Sequence, residues 1–574
     1  WLQALPAGVR VNLRLLGLWL LPLAFLGLFF FYPLRSILAY SFARSESGSA
    51  AAFFQALSAP SLWRVLGFTT YQAALSTLLT LLFGLPGAYL LARYQFRGKS
   101  LLLALTGIPF VMPTLVVAAA FNALLGPKGW VNLGLMQVFD LSAPPVQFAN
   151  TFTAILVAHV FYNTTIVLRT VGDFWAHLDP RLEQAALVLG ANRFTALRRV
   201  TLPLLMPALA AAALLVFIFD FTSFGVVLVL GGPQFATLEV EIFYQAISLF
   251  NLPMAASLSI IQIICTLAFT LIYTHLSSRL ARPLAYRPAN FTQRRLTTWR
   301  ARLTAGVVIV LLLGLLTSPL AALAARSITH LPSSSAAAQM TSPFTLSFFQ
   351  ELFINRRQSL FYAPPVTAIG VSLGYASLTV LFALGLGLPA AWALASQGRS
   401  LINRLLDPLV MLPLGASSVT IGLGFILAFA RPPLDLRTSL LMVPLAHTLV
   451  ALPFVIRSLV PSLRAIRPQL RQAAQVLGAS PWQEFRRIEL PLISRALLGA
   501  AIFAFTTSLG EFGATTMIAR PEYPTIPTVI YRLLGQPGAL NYGQAMALST
   551  ILMFVCAGGM LAIERLRLEP SGEF

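Results

Sequence analysis

The chain has 574 residues, 57% of them hydrophobic and 10% charged, with a formal net charge of +21. A soluble globular domain carries about 25% charged residues, so this composition excludes a soluble enzyme; the apolar residues fall in blocks of about twenty, the length that crosses a bilayer. The two cysteines, Cys265 and Cys556, each sit inside an apolar block, which excludes a disulfide-stapled secreted fold and offers no redox pair.

Twelve apolar blocks bounded by charge, Pro or Gly are predicted as membrane helices: 15–39, 66–91, 101–125, 151–171, 205–229, 253–277, 303–325, 366–396, 403–429, 437–459, 494–519 and 541–563. The first is too long for a signal-peptide core and has no clear small-x-small cleavage site, so it is read as a retained span. The fifth and eleventh contain Asp220 and Glu511. With the N-terminus inside, 28 of the 39 Lys and Arg residues fall on that side, and the positive-inside rule then puts both termini in the cytoplasm. The basic excess is thereby topological: membrane lipid is an expected partner and nucleic acid is not. The fold class expected is all-α, a polytopic membrane protein of about twelve helices.

An internal repeat organises those helices. Glu183 to Leu205, EQAALVLGANRFTALRRVTLPLL, matches Arg471 to Ile493, RQAAQVLGASPWQEFRRIELPLI, without gaps at an offset of 288, with 12 of 23 positions identical. The register extends to Ala158-His159 against Ala446-His447 and to Phe224-Gly225 against Phe512-Gly513, while GLPGAYLLA from Gly84 echoes GLPAAWALA from Gly387 at an offset of 303. Six helices per repeat is an even number, so the halves are expected to be parallel, related by an axis along the membrane normal. The expected division is 1–280, a basic Pro-containing cytoplasmic linker over 281–302, and 303–574.

Each repeated loop reads as a short amphipathic helix, a Gly that permits a sharp bend (Gly190, Gly478), a second stretch with paired arginines, and Leu-Pro at the opening of the next span (Leu202-Pro203, Leu490-Pro491). Such a loop can act as a lever on a membrane helix; the plainer reading, an interfacial helix resting on lipid headgroups, fits one copy better than two in register.

These residues resemble the EAA signature of permease subunits of type I binding-protein-dependent ABC importers: Gln184-Ala185-Ala186, Gly190, Val200 and Leu202-Pro203, and again Gln472-Ala473-Ala474, Gly478, Ile488 and Leu490-Pro491. The signature's acidic residue is Gln at both 184 and 472, with Glu183 adjacent in the first copy. The resemblance implies that these loops dock on two copies of a cytoplasmic ATPase subunit, that an extracytoplasmic binding protein delivers the cargo, and that the chain is a multi-pass protein of the inner membrane. The fused arrangement resembles the thiamine and ferric iron permeases, which implies a small cationic nutrient; Phe224 to Ala246 and Ala158 to Asn163 look most like the thiamine members, and Gly510 to Leu534 is similar to iron, molybdate and sulfate permeases as well.

No catalytic or cofactor site is expected in this chain. The nearest approach to a phosphate-cradling GxxxxGK[ST] loop ends in Gly98-Lys99-Ser100 with Arg93 in place of the first Gly, so ATP is expected to be used by partner subunits. HExxH and clustered Cys and His are likewise missing from the sequence, and His159 and His447 are expected to cap or pack helices. Ionisable groups at membrane depth mark functional sites by default. Asp220 and Glu511, with Thr222, Ser223, Ser508 and Asn163, are therefore the candidate pathway residues. No Lys or Arg lies within the apolar cores of the two acidic spans, so both carboxylates are expected to be hydrated in a water-filled cavity. The competing class is a 6 + 6 secondary transporter driven by an ion gradient, with a receptor or scaffold as a weaker third.

Overall fold

The computed structural model describes residues 7–42, 52–280, 293–330, 344–355, 363–396, 401–430 and 434–568. Helix dominates because hydrocarbon offers no water to a backbone N–H or C=O, and a helix satisfies both within one segment. Among the described residues eleven helices are long and apolar enough to cross a membrane, and a helix pair bent by 96° makes either a broken twelfth span or a re-entrant loop. The protein is all-α and polytopic.

The first half comprises α1 (Ala7–Leu26), running through a wide turn at Gly27–Phe31 into α2 (Tyr32–Ser41), then α3 (Pro60–Arg93), α4 (Lys99–Val111), α5 (Thr114–Leu125) and α6 (Phe152–His177). The short α7 (Pro180–Val188) and α8 (Arg193–Ala196) follow, then α9 (Leu202–Phe221), α10 (Leu238–Phe243) and α11 (Leu252–Leu280). The second half repeats this order with α12 (Trp299–Ser327), α13 (Thr367–Ser396), α14 (Leu401–Met411), α15 (Ser418–Ala428), α16 (Met442–Arg464), α17 (Pro468–Val476) and α18 (Pro481–Glu484). It closes with α19 (Leu490–Gly510), α20 (Gly513–Ile518), α21 (Ile526–Leu534) and α22 (Ala539–Leu568).

Five expected boundaries change. The third span is not one helix: Met112 takes an extended conformation (ψ 134°) ahead of Pro113, as a residue before Pro prefers, and α4 ends there. The ninth breaks at Leu412–Gly415, where Pro413 interrupts it and Ser417 caps the next helix by accepting from Thr420 N at 3.0 Å. The fifth and eleventh spans stop at Phe221 and Gly510, and the apolar residues that follow form short separate elements, a wide turn at Val227–Gly231 and α20. Finally, α12 starts at Trp299, and Arg294–Arg295 pairs in parallel with Tyr94–Gln95, so this part of the expected linker lies against the end of α3; residues 281–292 lie outside the described residues.

Each half is built on a three-helix core, α3, α6 and α9 in one and α13, α16 and α19 in the other. Burial follows the repeat: 72% of the most apolar window is buried in both α6 and α16, against 22% in both crossings that end in α9 and α19. Close approach uses glycine. A Cβ on Gly84 would lie 2.9 Å from Val167, and one on Gly387 2.7 Å from Val455, so α3 and α13 pack backbone-close onto α6 and α16, as small residues allow in lipid. The leading helices are exchanged. α1 packs on α13 and α2 on α15, while α12 packs on α4 and α5. Polar pins hold the exchange: Trp19 Nε1 donates to Asn403 Oδ1 (3.2 Å), and the buried Arg326 guanidinium lies 4.8 Å from the centre of the Trp130 ring.

Gly84→Val and Gly387→Val are each expected to destabilise the protein by about 1–3 kcal/mol through overpacking. Gly314→Val, where a Cβ meets nothing within 4 Å, is the control. Apparent melting temperatures of the detergent-solubilised chain check this, and equal values for all three would contradict the close packing.

Candidate functional site

Because α6 and α16 are the most enclosed of the eleven long crossings, a polar side chain on their inner faces must find its partner within the protein. His159 on α6 is hydrogen-bonded through Nδ1 to Ser76 Oγ (3.0 Å) and through Nε2 to Ser223 Oγ (2.8 Å), with Asp220 Oδ1 3.4 Å from Nδ1. Asn163, one turn along α6, donates to Asp220 Oδ1 at 2.7 Å, and Gln72 donates to the Asp220 carbonyl at 2.7 Å. His447 on α16 meets Ser508 Oγ at Nδ1 (2.7 Å), and Thr515 Oγ1 (2.8 Å) and Glu511 Oε2 (3.1 Å) at Nε2. Ser508 donates in turn to Thr379 Oγ1 of α13 at 3.2 Å.

The offset of 288 pairs His159 with His447, Asp220 with Ser508 and Ser223 with Glu511. Each half therefore sets one acid and one hydroxyl on opposite nitrogens of the same histidine, and the two have changed places between halves. Glu511 has a second task. Its Oε1 accepts from Ala514 N (2.8 Å) and its Oε2 from Thr515 N (3.0 Å) and Thr515 Oγ1 (2.6 Å), capping α20.

Both acids are buried, Asp220 at 1% and Glu511 at 7% exposure, and each is neighboured by the histidine of the preceding span, a partner that Lys and Arg positions alone do not reveal. The structure does bring the candidate residues together. Asn163, Asp220, Thr222, Ser223 and Glu511 all line one cavity of about 360 Å³ between the halves, and Ser508 stands behind it on His447. Phe224 and Phe512, equivalent by the repeat, stack within it at 5.5 Å and 20°. No Lys or Arg among the described residues lines it. Sequence reasoning missed Glu239 of α10, which also lines it at 1% exposure; an acid inside the apolar run TLEVEIF was the available signal.

A second cavity of about 670 Å³ shares Phe110, Val111, Phe454 and Phe503 with the first. Its wall carries Arg169, Arg457 and Arg495 and, among the described residues, no acid. Arg169 is paired with Glu564 just outside it, at 2.9 Å.

Both repeated loops lie at one end of the bundle and have one shape. Gly190 (φ +89°) and Gly478 (φ +77°) take the left-handed conformation that ends a helix sharply. Asn192 and Ser480 then cap α8 and α18. Pro203 and Pro491 cannot donate to the carbonyl four residues back and crowd it; the helix widens there, at Leu197–Thr201 and Phe485–Glu489, and runs on unbroken into α9 and α19. Each lever is continuous with its span. Gln184, Ala185, Gln472 and Ala473 are exposed, Ala186 is half-buried and Ala474 buried, with Leu202, Pro203 and Pro491 exposed and Leu490 half-buried. Glu183 faces Arg93 at 3.8 Å; its counterpart Arg471 pairs with Glu489 at 2.7 Å. At the tips, Val188 and Leu189 are both 87% exposed, and Val476 and Leu477 87% and 86%.

Comparison with known proteins matches residues 84–282 and 383–566 to the family described as binding-protein-dependent transport system inner membrane component. The chain belongs to this family. The two matched stretches are its two fused permease copies, so the protein is a multi-pass inner-membrane permease of the type that works in ABC importers with ATPase and substrate-binding partners. It is similar to the thiamine transport system permease protein of Escherichia coli (28% identical, covering 88% of this chain and 89% of that one) and to that of Brucella abortus (28%, 88% and 88%). It is also similar to a probable ABC transporter permease protein of Sinorhizobium fredii (25%, 88% and 88%).

Glu511→Ala removes the α20 cap and the one acid on His447, which keeps only its hydroxyl partners, an expected loss of about 3–5 kcal/mol. The fall in melting temperature should exceed that of Glu522→Ala, at an acid 41% exposed; equal values would show that the cap contributes nothing.

Proposed function

We propose that this chain forms the translocation pathway of an importer for a small organic cation of the thiamine kind, received from an extracytoplasmic binding protein and driven by two ATPase subunits seated on the loops at 183–205 and 471–493. ATP is hydrolysed on those subunits, and this chain binds no cofactor of its own. Both termini and both loops face the cytoplasm, as the distribution of arginine favours.

The observation that carries the coupling role is the matched pair of apolar tips. Val188-Leu189 and Val476-Leu477 are large aliphatic side chains almost fully exposed at equivalent positions, outside the apolar spans. These tips close α7 and α17, across the Gly190 and Gly478 bends from the helices that run into α9 and α19, and exposed apolar groups at two repeat-related positions suit a partner with two equivalent clefts better than they suit water. Gly190 and Gly478 make the bend, and the exposed Gln184, Ala185, Gln472 and Ala473 supply the rest of the contact. The cargo reading is supported by a cavity with carboxylates and no Lys or Arg among its described lining, and by the relatives that carry thiamine in their names. Ferric iron is the weaker alternative. A multivalent metal ion needs several ligands converging on one point, and among the described residues no three His, Cys, Asp or Glu side chains do so.

Reconstitution with the ATPase and the binding protein tests the reading: labelled thiamine should accumulate in proteoliposomes only with ATP and binding protein. Uptake on an ion gradient alone would instead make the chain a secondary transporter. Leu189→Asp combined with Leu477→Asp should abolish co-purification of the ATPase while membrane insertion stays normal; retained co-purification would remove the docking role from the tips. Single cysteines at Arg193 and Pro481 should be labelled from the cytoplasmic side, and labelling from outside would invert the topology.

A further inference from the structure

The central cavity contains an acid that the fold does not require. Glu239 lies in the first turn of α10, with Thr237 at the N-cap, and its equivalent in α21 is Pro527, with Thr525 at the N-cap. The equivalence is structural as well as sequential: Leu238 N is held by Thr69 Oγ1 (3.0 Å) and Ile526 N by Ser372 Oγ (2.8 Å), and Thr69 and Ser372 stand 303 apart like the Gly84 and Gly387 segments. The partner of Glu239 is equally particular to the first half. Gln262 Nε2 donates to Glu239 Oε1, and position 550, its equivalent, is Thr. The second half thus builds the same turn with neither the acid nor its amide. An acid in a first turn is ordinarily explained by the helix dipole, but this carboxylate is engaged by the amide of α11.

One of its oxygens is left over. Glu239 is 1% exposed, and its Oε2 makes no hydrogen bond of ordinary geometry among the described residues; the Ser417 hydroxyl lies close enough to act on the carboxylate but donates to Thr420 Oγ1 at 3.0 Å. Asp220, also 1% exposed, likewise has Oδ2 without a partner. Both acids line the same cavity, and a buried carboxylate oxygen without a donor is costly unless something supplies one or a positive charge. The rest of the lining is aromatic to an unusual degree, with seven Phe and Tyr side chains, including the stacked Phe224 and Phe512. Aromatic faces attract delocalised cations, and more so away from water. At about 360 Å³ the space falls in the range of about 300–1,000 Å³ typical of small-molecule sites.

Resting on the cargo reading above, we infer that Glu239, with Asp220, is the cation-recognising group of the pathway, selecting a flat organic cation of single charge: the unpartnered oxygens take the charge and the aromatic faces take the ring. Only the first half carries the selecting acid, so recognition is placed off the pseudo-symmetry axis. Asp220 also belongs to the His159 centre, and Glu239 is therefore the cleaner residue to alter.

The test compares thiamine with a neutral analogue in which thiophene replaces the thiazolium ring. Binding of each to the full chain in nanodiscs is read by saturation-transfer NMR, and thiamine uptake by the reconstituted complex. Glu239→Gln, nearly isosteric and still able to meet Gln262, should weaken thiamine binding about tenfold, roughly the loss of one charge-assisted contact. The neutral analogue should change by less than about twofold, and Glu239→Asp should stay within about threefold of wild type. Thiamine uptake should fall in parallel while ATPase assembly and basal hydrolysis hold. Equal losses for both solutes would mean that Glu239 only supports the fold, and no loss for either, or wild-type binding that does not distinguish the two, would equally overturn the inference. A wild-type complex that imports no thiamine with ATP and binding protein overturns the cargo reading and takes this inference with it.

Discussion

Hydrocarbon gives a polar side chain nothing to bond to, and the architecture is organised around two histidines that meet this constraint. His159 and His447 sit on the two most enclosed of the long crossings and gather hydroxyls and one acid each from neighbouring elements. In the first half the gathered groups come from α3, from the end of α9 and from the turn beyond it. In the second they come from α13 by way of Ser508, from α19 and from α20. Each imidazole therefore locks the core helices to the short element that follows the fifth or eleventh crossing. Those short elements bring Phe224, Phe512 and Glu511 to the midline, so the cavity's walls depend on the two centres.

The exchange of acid and hydroxyl about the two rings shows how far a duplicated fold can drift without losing its bond pattern. What is held constant is one acid per imidazole; which nitrogen it faces is free. Glu511 at the second position gains the backbone of α20 as well, which Ser223 does not offer its own segment. Together with Glu239 opposite Pro527, this makes the cavity chemically lopsided inside a nearly symmetric frame, something a single fused chain permits and two identical subunits would not.

The repeat and its register were legible in sequence because the matching stretch is a polar loop, where general hydrophobicity cannot generate identities. Gly190 and Gly478 were legible for a local reason, the left-handed conformation each bend demands. The breaks at Pro113 and Pro413 were hidden inside runs whose apolar character never falters, and apolar character says how deep a residue sits, not whether the helix through it is straight. The partners of Asp220 and Glu511 were missed because a counter-charge was sought only among Lys and Arg of the same spans, whereas the imidazoles come from the preceding spans and reach across by packing. The exchange of leading helices between halves left no mark on local sequence, since lipid-facing and protein-facing apolar surfaces look alike.

The two cavities meet at a partition of Phe110, Val111, Phe454 and Phe503, with carboxylates in the wall on one side and three arginines on the other. Glu564 beside Arg169 and Asp407 beside Arg457 offset part of that positive charge from outside the cavity wall. For a positively charged solute this is a well followed by a barrier. A cation held among the carboxylates must climb to enter the arginine-lined chamber, and one approaching from the far side meets the same rise. Fixed charge of this kind opposes leakage equally in both directions, so the direction of flow is left to whatever drives the levers.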